Sequence, residues 1–144
     1  MKICEIMTDR VISIDRDEPV SAAARLLKRH NVGALPVCDG DGRLRGMVTD
    51  RDIVLRCVAD DRDPTITPVG EIMSRGIVTT TPFDEVADAA RLMSEDQVRR
   101  LPVTDRGRVV GMITLCDMAR SCNCEAEAAE TLADISSNLR RKTE

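Results

Sequence analysis

The feature that most constrains this chain is an internal repetition. The phrase "GMVTDRDI" at 46–53 returns as "GMITLCDM" at 111–118. Each runs glycine, two apolar residues, threonine, two variable residues, aspartate and an apolar residue. "EIM" (5–7 and 71–73) and "LPV" (35–37 and 101–103) repeat at an offset of 66 residues, and the glycine phrase at 65. The missing residue falls where "DGDGRLRG" faces "DRGRVVG", a turn, where a deletion is cheapest. "AAARLL" (22–27) likewise faces "ADAARLM" (87–93). Whatever the fold, it must accept one unit of roughly 60 residues twice. The expected organisation is a first copy with linker over 1–64, a second copy over 65–124 and an amphipathic helix over 125–144. "DDRDPTITP" (60–68) joins the copies, marked by charge and two prolines.

Each copy reads as strand, helix, strand, strand, helix. "VISI" (11–14) and "IVTT" (77–80) are the opening strands. Apolar Val20, Ala23, Ala24 and Leu27 fall at helical spacing between Pro19 and about His30, and the second copy repeats this from Glu85 to about Asp96. "ALPVC" and "RLRGMVT" then read as strands around the turn "DGDG", matched by "RLPVT" and "RVVGMIT" around "DRG". A last helix starts at the threonine, from Asp50 to about Val58 and from Leu115 to about Ser121. A unit this small buries little surface alone, so the copies are expected to share a core. The class is α/β (α+β).

Several functions lose ground on composition. Lys and Arg total 21 against 25 acids, and the chain has one Phe and no Trp or Tyr. Neither a phosphate-neutralising surface nor a base-stacking platform follows from that, so nucleic acid is not an expected partner. No apolar run approaches a membrane helix, and "MKICEIMTDR" has no signal-peptide core. A cytoplasmic protein is expected. One histidine, no nucleophile–base pairing and no phosphate-cradling glycine loop argue against an enzyme.

The repeated phrase has chemistry of its own. Thr49 stands where a strand gives way to a helix, and free N–H groups there favour an anion. Asp52, one turn on, has a carboxylate able to accept from two neighbouring hydroxyls, as ribose offers. Gly46 admits a close approach by backbone or ligand. Thr114 and Asp117 are placed identically. The same Thr-x-x-Asp spacing is also a plain capping box. "TPFD" (81–84) and "DRDE" (15–18) share the spacing before the other helix of each copy, so spacing leaves both readings open.

Two stretches carry a resemblance: "VGALPVCDGDGRLRGMVTDRDIV" (32–54) and "VRRLPVTDRGRVVGMITLCDMAR" (98–120). With the "EIM" segments they resemble a tandem pair of CBS motifs, a Bateman module, over about residues 1 to 122. The chain looks like the stand-alone bacterial type. The resemblance implies two interlocked β-α-β-β-α CBS units with pseudo-twofold symmetry plus a C-terminal helix. It implies clefts that bind adenine nucleotides or related adenosyl ligands: AMP, ADP, ATP, S-adenosylmethionine or NAD(H). It places Asp52 and Asp117 on ribose hydroxyls, with Thr49 and Thr114 on ribose or phosphate. Backbone near Ile12, Ser13 and Ile14, near Val78, Thr79 and Thr80, and near Ala34–Leu35–Pro36 and Arg100–Leu101–Pro102 would face the base. The ligand is regulatory, not a cofactor.

The copies differ. Before "LPV" stand Gly33 and Ala34 in one and Arg99 and Arg100 in the other, which makes the arginines phosphate candidates or a solvated strand edge. Arg51 is available to phosphate in the first copy and has no cationic counterpart in "TLCD". The clefts are therefore expected to be inequivalent. Six cysteines form no Cys-x-x-Cys pair, and only Cys122 and Cys124 suggest a thiol-based redox or metal site, against the plain alternative of a helix end carrying thiols. No metal ligand set is assigned. In the tail, Leu132, Ile135 and Leu139 make a narrow apolar stripe that must pack on its own module or a partner. With the apolar "DIVLRCV" helix, it suggests a homodimer. An interaction module whose ligand sites have lapsed, acting on an unidentified protein partner, is the alternative to a nucleotide sensor.

Overall fold

The computed structural model describes residues 1–121 and 125–143, with side chains through Ser136 apart from Glu125. Cys122 and Cys124 lie outside the described residues, as do the side chains of Leu139, Arg140, Arg141 and Lys142. Two compact units form. The Asp52 unit holds Ile12–Ile77 and Gly107–Val109, and the Asp117 unit holds Met1–Val11, Val78–Arg106 and Val110–Glu144. Each unit thus contains the opening "EIM" segment of the other repeat copy.

In the Asp52 unit, β1 (Ile14–Asp15) pairs in parallel with β2 (Ala34–Cys38), which pairs antiparallel with β3 (Leu44–Thr49). The helix α1 (Val20–His30) connects β1 to β2. It buries Val20, Ala23 and Leu27, residues three and four apart that share one face. Asn31 ends it in the left-handed conformation, φ 50°, where asparagine is tolerated better than most residues. The expected opening strand 11–14 is shorter and shifted. Only Ile14 and Asp15 pair, and the Asp15 carboxylate then accepts the Asp17 N–H at 2.8 Å, turning the chain into the helix. Beyond β3, α2 (Asp50–Ile53) widens into a π-helical turn over Val54–Val58, where Ala59 N–H reaches back five residues to Val54 O at 2.8 Å. The core joins Leu35, Val37, Val48, Cys57 and Ile72.

The Asp117 unit repeats the plan. Its elements are α3 (Val86–Asp96), the hairpin β4 (Arg100–Asp105) and β5 (Arg108–Thr114), α4 (Leu115–Arg120) and α5 (Glu125–Thr143). The expected strand 77–80 reduces to one parallel bridge at Thr80, which donates to Pro102 O at 3.1 Å and accepts from Thr104 N–H at 2.8 Å. The Asp84 carboxylate then takes the Thr81 N–H and the Thr80 hydroxyl, each at 3.0 Å, and closes the turn. Ile3 is fully buried in a core with Val86, Met93, Leu101, Ile113 and Met118.

The tail helix packs one residue of the expected stripe, Ile135, on its own unit. Among its described side chains Ala128, Thr131 and Ile135 are buried, while Leu132 is about half exposed, at 47%. Ile135 belongs to its own unit's core. The mixed helix-and-strand class with a terminal helix is as expected from the sequence. Among the described residues no helix is long and apolar enough to cross a membrane.

Candidate functional site

Each Thr-x-x-Asp phrase forms a reciprocal box. Thr49 Oγ1 accepts the Asp52 N–H at 3.0 Å while Asp52 Oδ2 accepts the Thr49 N–H at 3.0 Å. Thr114 and Asp117 do the same at 3.1 and 2.9 Å. Extended backbone at Thr49 (ψ 163°) and Thr114 (ψ 163°) lets the hydroxyl fold over the first turn. Both threonine oxygens act as acceptors here, so each hydroxyl proton is free to be donated elsewhere.

The strand before each box is held by a close approach. Met47 and Ser74 exchange backbone bonds at 3.0 and 2.8 Å, and Thr8 and Met112 do so at 2.9 Å both ways. A Cβ on Gly46 would stand 2.5 Å from Ser74 O, and one on Gly111 would stand 2.6 Å from Met7 Sδ and 3.0 Å from Thr8 O. The phrase's glycine therefore admits neighbouring backbone, the first of the two partners its position allows.

Ser74 and Arg56 join the first box, and sequence reasoning missed both. Ser74 Oγ lies 3.4 Å from each Asp52 oxygen. Arg56 Nε stands 4.0 Å from Asp52 Oδ1, and its Nη1 donates to the carbonyls of Ile72 and Met73 at 3.2 Å each. A signal was present for Ser74: a hydroxyl residue follows "EIM" in both copies, Thr8 in one and Ser74 in the other.

The expected site residues distribute as follows. Ala34 pairs with Thr49 across β2 and β3, and Gly33 O accepts the Asp50 N–H at 3.1 Å, so this corner gathers beside the Asp52 box. Arg99 O accepts the Leu115 N–H at 3.0 Å, which sets Arg99 and Arg100 beside Thr114. Arg51 and Arg99 are exposed, and Arg100 is half-buried. Ile14, Leu35, Pro36, Thr80, Leu101 and Pro102 are buried, and the Thr80 N–H and carbonyl are taken up by Pro102 and Thr104. The Thr80 hydroxyl is already given to Asp84. Ile14 lies across the central strand from Thr49 and three residues along it, on the order of 14 Å away from strand spacings. Ile12, Ser13, Val78 and Thr79 are not buried.

Two surface hollows lie away from the boxes, the first of them lined by the expected residues Ser13 and Ile14. One of about 360 Å³ sits between β1 and α1, lined by Ser13, Asp15, Glu18, Arg25 and Arg29 among others. One of about 290 Å³ lies between α3 and α5, lined by Arg91, Glu127, Glu130 and Asp134 among others. Neither is lined by Thr49, Asp52, Thr114 or Asp117. Both hollows mix arginine with carboxylates, and neither holds the repeated threonine–aspartate pair. Burial pushes the Cys38 thiol up, with an opposing hydrogen bond from Ser13. Among the described residues no three His, Cys, Asp or Glu side chains gather where they could hold a metal ion.

A duplicated α/β module with one threonine–aspartate box per unit is the architecture of paired regulatory domains. Residues 3–58 and 69–123 each match the CBS domain, and the chain belongs to that family. It is 42% identical over 132 residues to the CBS domain-containing protein YhcV of Bacillus subtilis, covering 92% of this chain and 93% of the relative. Among solved structures it resembles hypoxic response protein I with two coordinated zinc ions, at 38% identity and TM-score 0.78 over 83% of this chain and 98% of that one. It also resembles the CBS domain pair of protein MJ0100 in complex with 5'-methylthioadenosine and S-adenosyl-L-methionine. That match has 30% identity and TM-score 0.74, over 83% of this chain and 94% of the other.

Proposed function

We propose that this chain is a non-catalytic regulatory module that binds adenine nucleotides or related adenosyl ligands at its two Thr-x-x-Asp boxes. The observation that carries the reading is the way each carboxylate is used. Capping engages Oδ2 through a backbone N–H, and at Asp117 this leaves Oδ1 without a protein partner among the described residues. A ribose hydroxyl suits that oxygen, and the Thr114 hydroxyl proton suits an oxygen of the ligand. Arg99 and Arg100 have no ion-pair partner among the described residues and are the phosphate candidates there, with Arg51 in the other copy. The adenosyl ligands of the MJ0100 pair support the class of ligand.

The module acts as a cytoplasmic homodimer in this reading. Val54, Leu55 and Val58 are 55%, 47% and 60% exposed on consecutive turns, an apolar face of three neighbouring side chains. A second reading, an interaction module without ligand, is favoured by one fact: both boxes are complete as helix caps. Thermal unfolding with AMP, ADP, ATP, S-adenosylmethionine and NADH separates the two. A ligand that binds the native state must raise the melting temperature by mass action, and Asp117→Ala must abolish part of the rise. No rise with any of them, at millimolar concentration, would leave the boxes as caps and favour the second reading.

A further inference from the structure

The two copies hold the same carboxylate in different states. Asp52 is 8% exposed, and besides the Thr49 N–H it faces Ser74 Oγ at 3.4 Å from both oxygens and Arg56 Nε at 4.0 Å from Oδ1. Asp117 is half-buried and accepts only the Thr114 N–H at 2.9 Å among the described residues. The residue corresponding to Ser74 is Thr8. Thr8 bridges Met112 as Ser74 bridges Met47, yet its hydroxyl makes no bond among the described residues. The residue corresponding to Arg56 is Ser121, whose hydroxyl contacts Met1 Sδ at 3.5 Å.

We infer that Asp52 is a latched acceptor: Ser74 and Arg56 cover the oxygen that a ribose diol needs, so Asp117 is occupied first and the Asp52 site fills only as the Ser74 hydroxyl turns away. This rests on the adenosyl reading above and adds an order of occupancy to it. The chemistry is competitive. Ser74 and a ribose hydroxyl are both neutral O–H donors to one carboxylate oxygen, so the ligand must displace a bond that the protein already has. At 3.4 Å to both oxygens the bond is longer than an ordinary O–H···O bond, so displacing it weakens binding only about 2- to 5-fold. Release needs only a side-chain rotation, because Ser74 keeps its backbone pair with Met47 either way. Arg56 stays pinned by the Ile72 and Met73 carbonyls, so Ser74 is the mobile half of the latch.

Isothermal titration of the full chain tests this, with AMP and, separately, 5'-methylthioadenosine as probes. Asp117→Ala is expected to weaken the tightest event tenfold or more. Ser74→Ala is expected to tighten the weaker event, or bring it into range, by about 2- to 5-fold. The same gain is expected when Ser74→Ala is placed on the Asp117→Ala background. Circular dichroism checks folding of each variant; should Asp117→Ala unfold, Asp117→Asn keeps the capping acceptor and must still weaken the tightest event. The latch is overturned if Asp117 substitution leaves the tightest event untouched, or if Ser74→Ala leaves the weaker event unchanged or weaker. Binding seen with those outcomes leaves the proposed function standing. No heat with either probe in any variant overturns both.

Discussion

Replacing Gly46 by alanine should destabilise the Asp52 unit by about 2–4 kcal/mol. The added Cβ would lie 2.5 Å from Ser74 O and 2.9 Å from Met73 Sδ. The thioether can move, but Ser74 O accepts the Met47 N–H at 3.0 Å, and Ser74 N–H returns the bond to Met47 O at 2.8 Å. Separating the two segments costs two backbone bonds of about 1 kcal/mol each, and residual overpacking adds about 1–3 kcal/mol, partly in place of those bonds. Gly111→Ala is the graded comparison. Its nearest contact is the flexible Met7 Sδ at 2.6 Å and backbone comes no closer than Thr8 O at 3.0 Å, so about 1–2 kcal/mol is expected. Gly40→Ala is the control: nothing lies within 4 Å, and the substitution should be neutral or stabilise by about 0.4–1 kcal/mol. With no Trp or Tyr in the chain, urea unfolding followed by far-UV circular dichroism is the assay. Equal midpoints for Gly46→Ala and Gly40→Ala would refute the close approach. They would also return Gly46 to the ligand side of the ledger.

Three further outcomes follow from the same contacts. Cys4 and Cys116 are exposed while Cys38 and Cys57 are buried, so thiol labelling read by peptide mass should reach the first two in the native state and the second two only on unfolding. Asp84 is held below the ordinary carboxylate range first by the Thr81 N–H and also by the Thr80 hydroxyl. Its contribution is therefore present above the unfolded value near 3.9 and lost as pH falls through the lower folded value. Asp84→Asn should lose less stability than wild type between pH 5 and pH 2 in acid-unfolding midpoints, and an equal loss would sink the assignment. Ile3→Ala removes a fully buried side chain from the Asp117 unit and should cost about 2–5 kcal/mol. Hydrogen exchange should rise mainly over 78–106 and 110–121, although Ile3 belongs by sequence to the first repeat copy; a rise confined to 12–77 would contradict the unit composition.

The parts of the fold that were legible are those written in periodicity and in turn chemistry. Val20, Ala23 and Leu27 announce α1 because a helix buries residues three and four apart, and the hairpins announce themselves through apolar runs around "DGDG" and "DRG". The opening strands were less legible. "IVTT" has the composition of a strand, yet only Thr80 pairs, because strand formation depends on a partner whose position sequence does not state. The tail helix was legible as a helix and only partly in rotation: Ile135 is buried as expected, but Thr131 is buried too and Leu132 is half exposed, since the buried face is chosen by the surface that meets it. Offsets of 66 and 65 residues revealed the repeat but not that each "EIM" segment sits in the unit of the other copy, which is a long-range pairing. Ser74 escaped notice for the same reason. It acts on a carboxylate 22 residues away through space, and no local rule marks it.

The spacing Thr-x-x-Asp left a helix cap and a ribose acceptor as rival explanations; both copies form the cap, and the proposed ribose role would use the atoms that the cap leaves over. A cap engages one carboxylate oxygen and the threonine's lone pairs. A ribose acceptor needs the other oxygen and the threonine's proton. Both boxes satisfy the first requirement at 2.9–3.1 Å. They differ in the second: among the described residues Asp117 Oδ1 has no partner, whereas Asp52 faces Ser74 and Arg56. A cap that is complete fixes the carboxylate's rotamer before any ligand arrives, so the entropy of ordering that side chain falls on folding instead of on binding. Under the proposed adenosyl reading the box is a preorganised acceptor because it is a cap, and the copies differ in that Ser74 and Arg56 face Asp52 whereas the corresponding Thr8 and Ser121 make no bond to Asp117 among the described residues, so Ser74→Ala is the sharpest probe of how the two boxes differ.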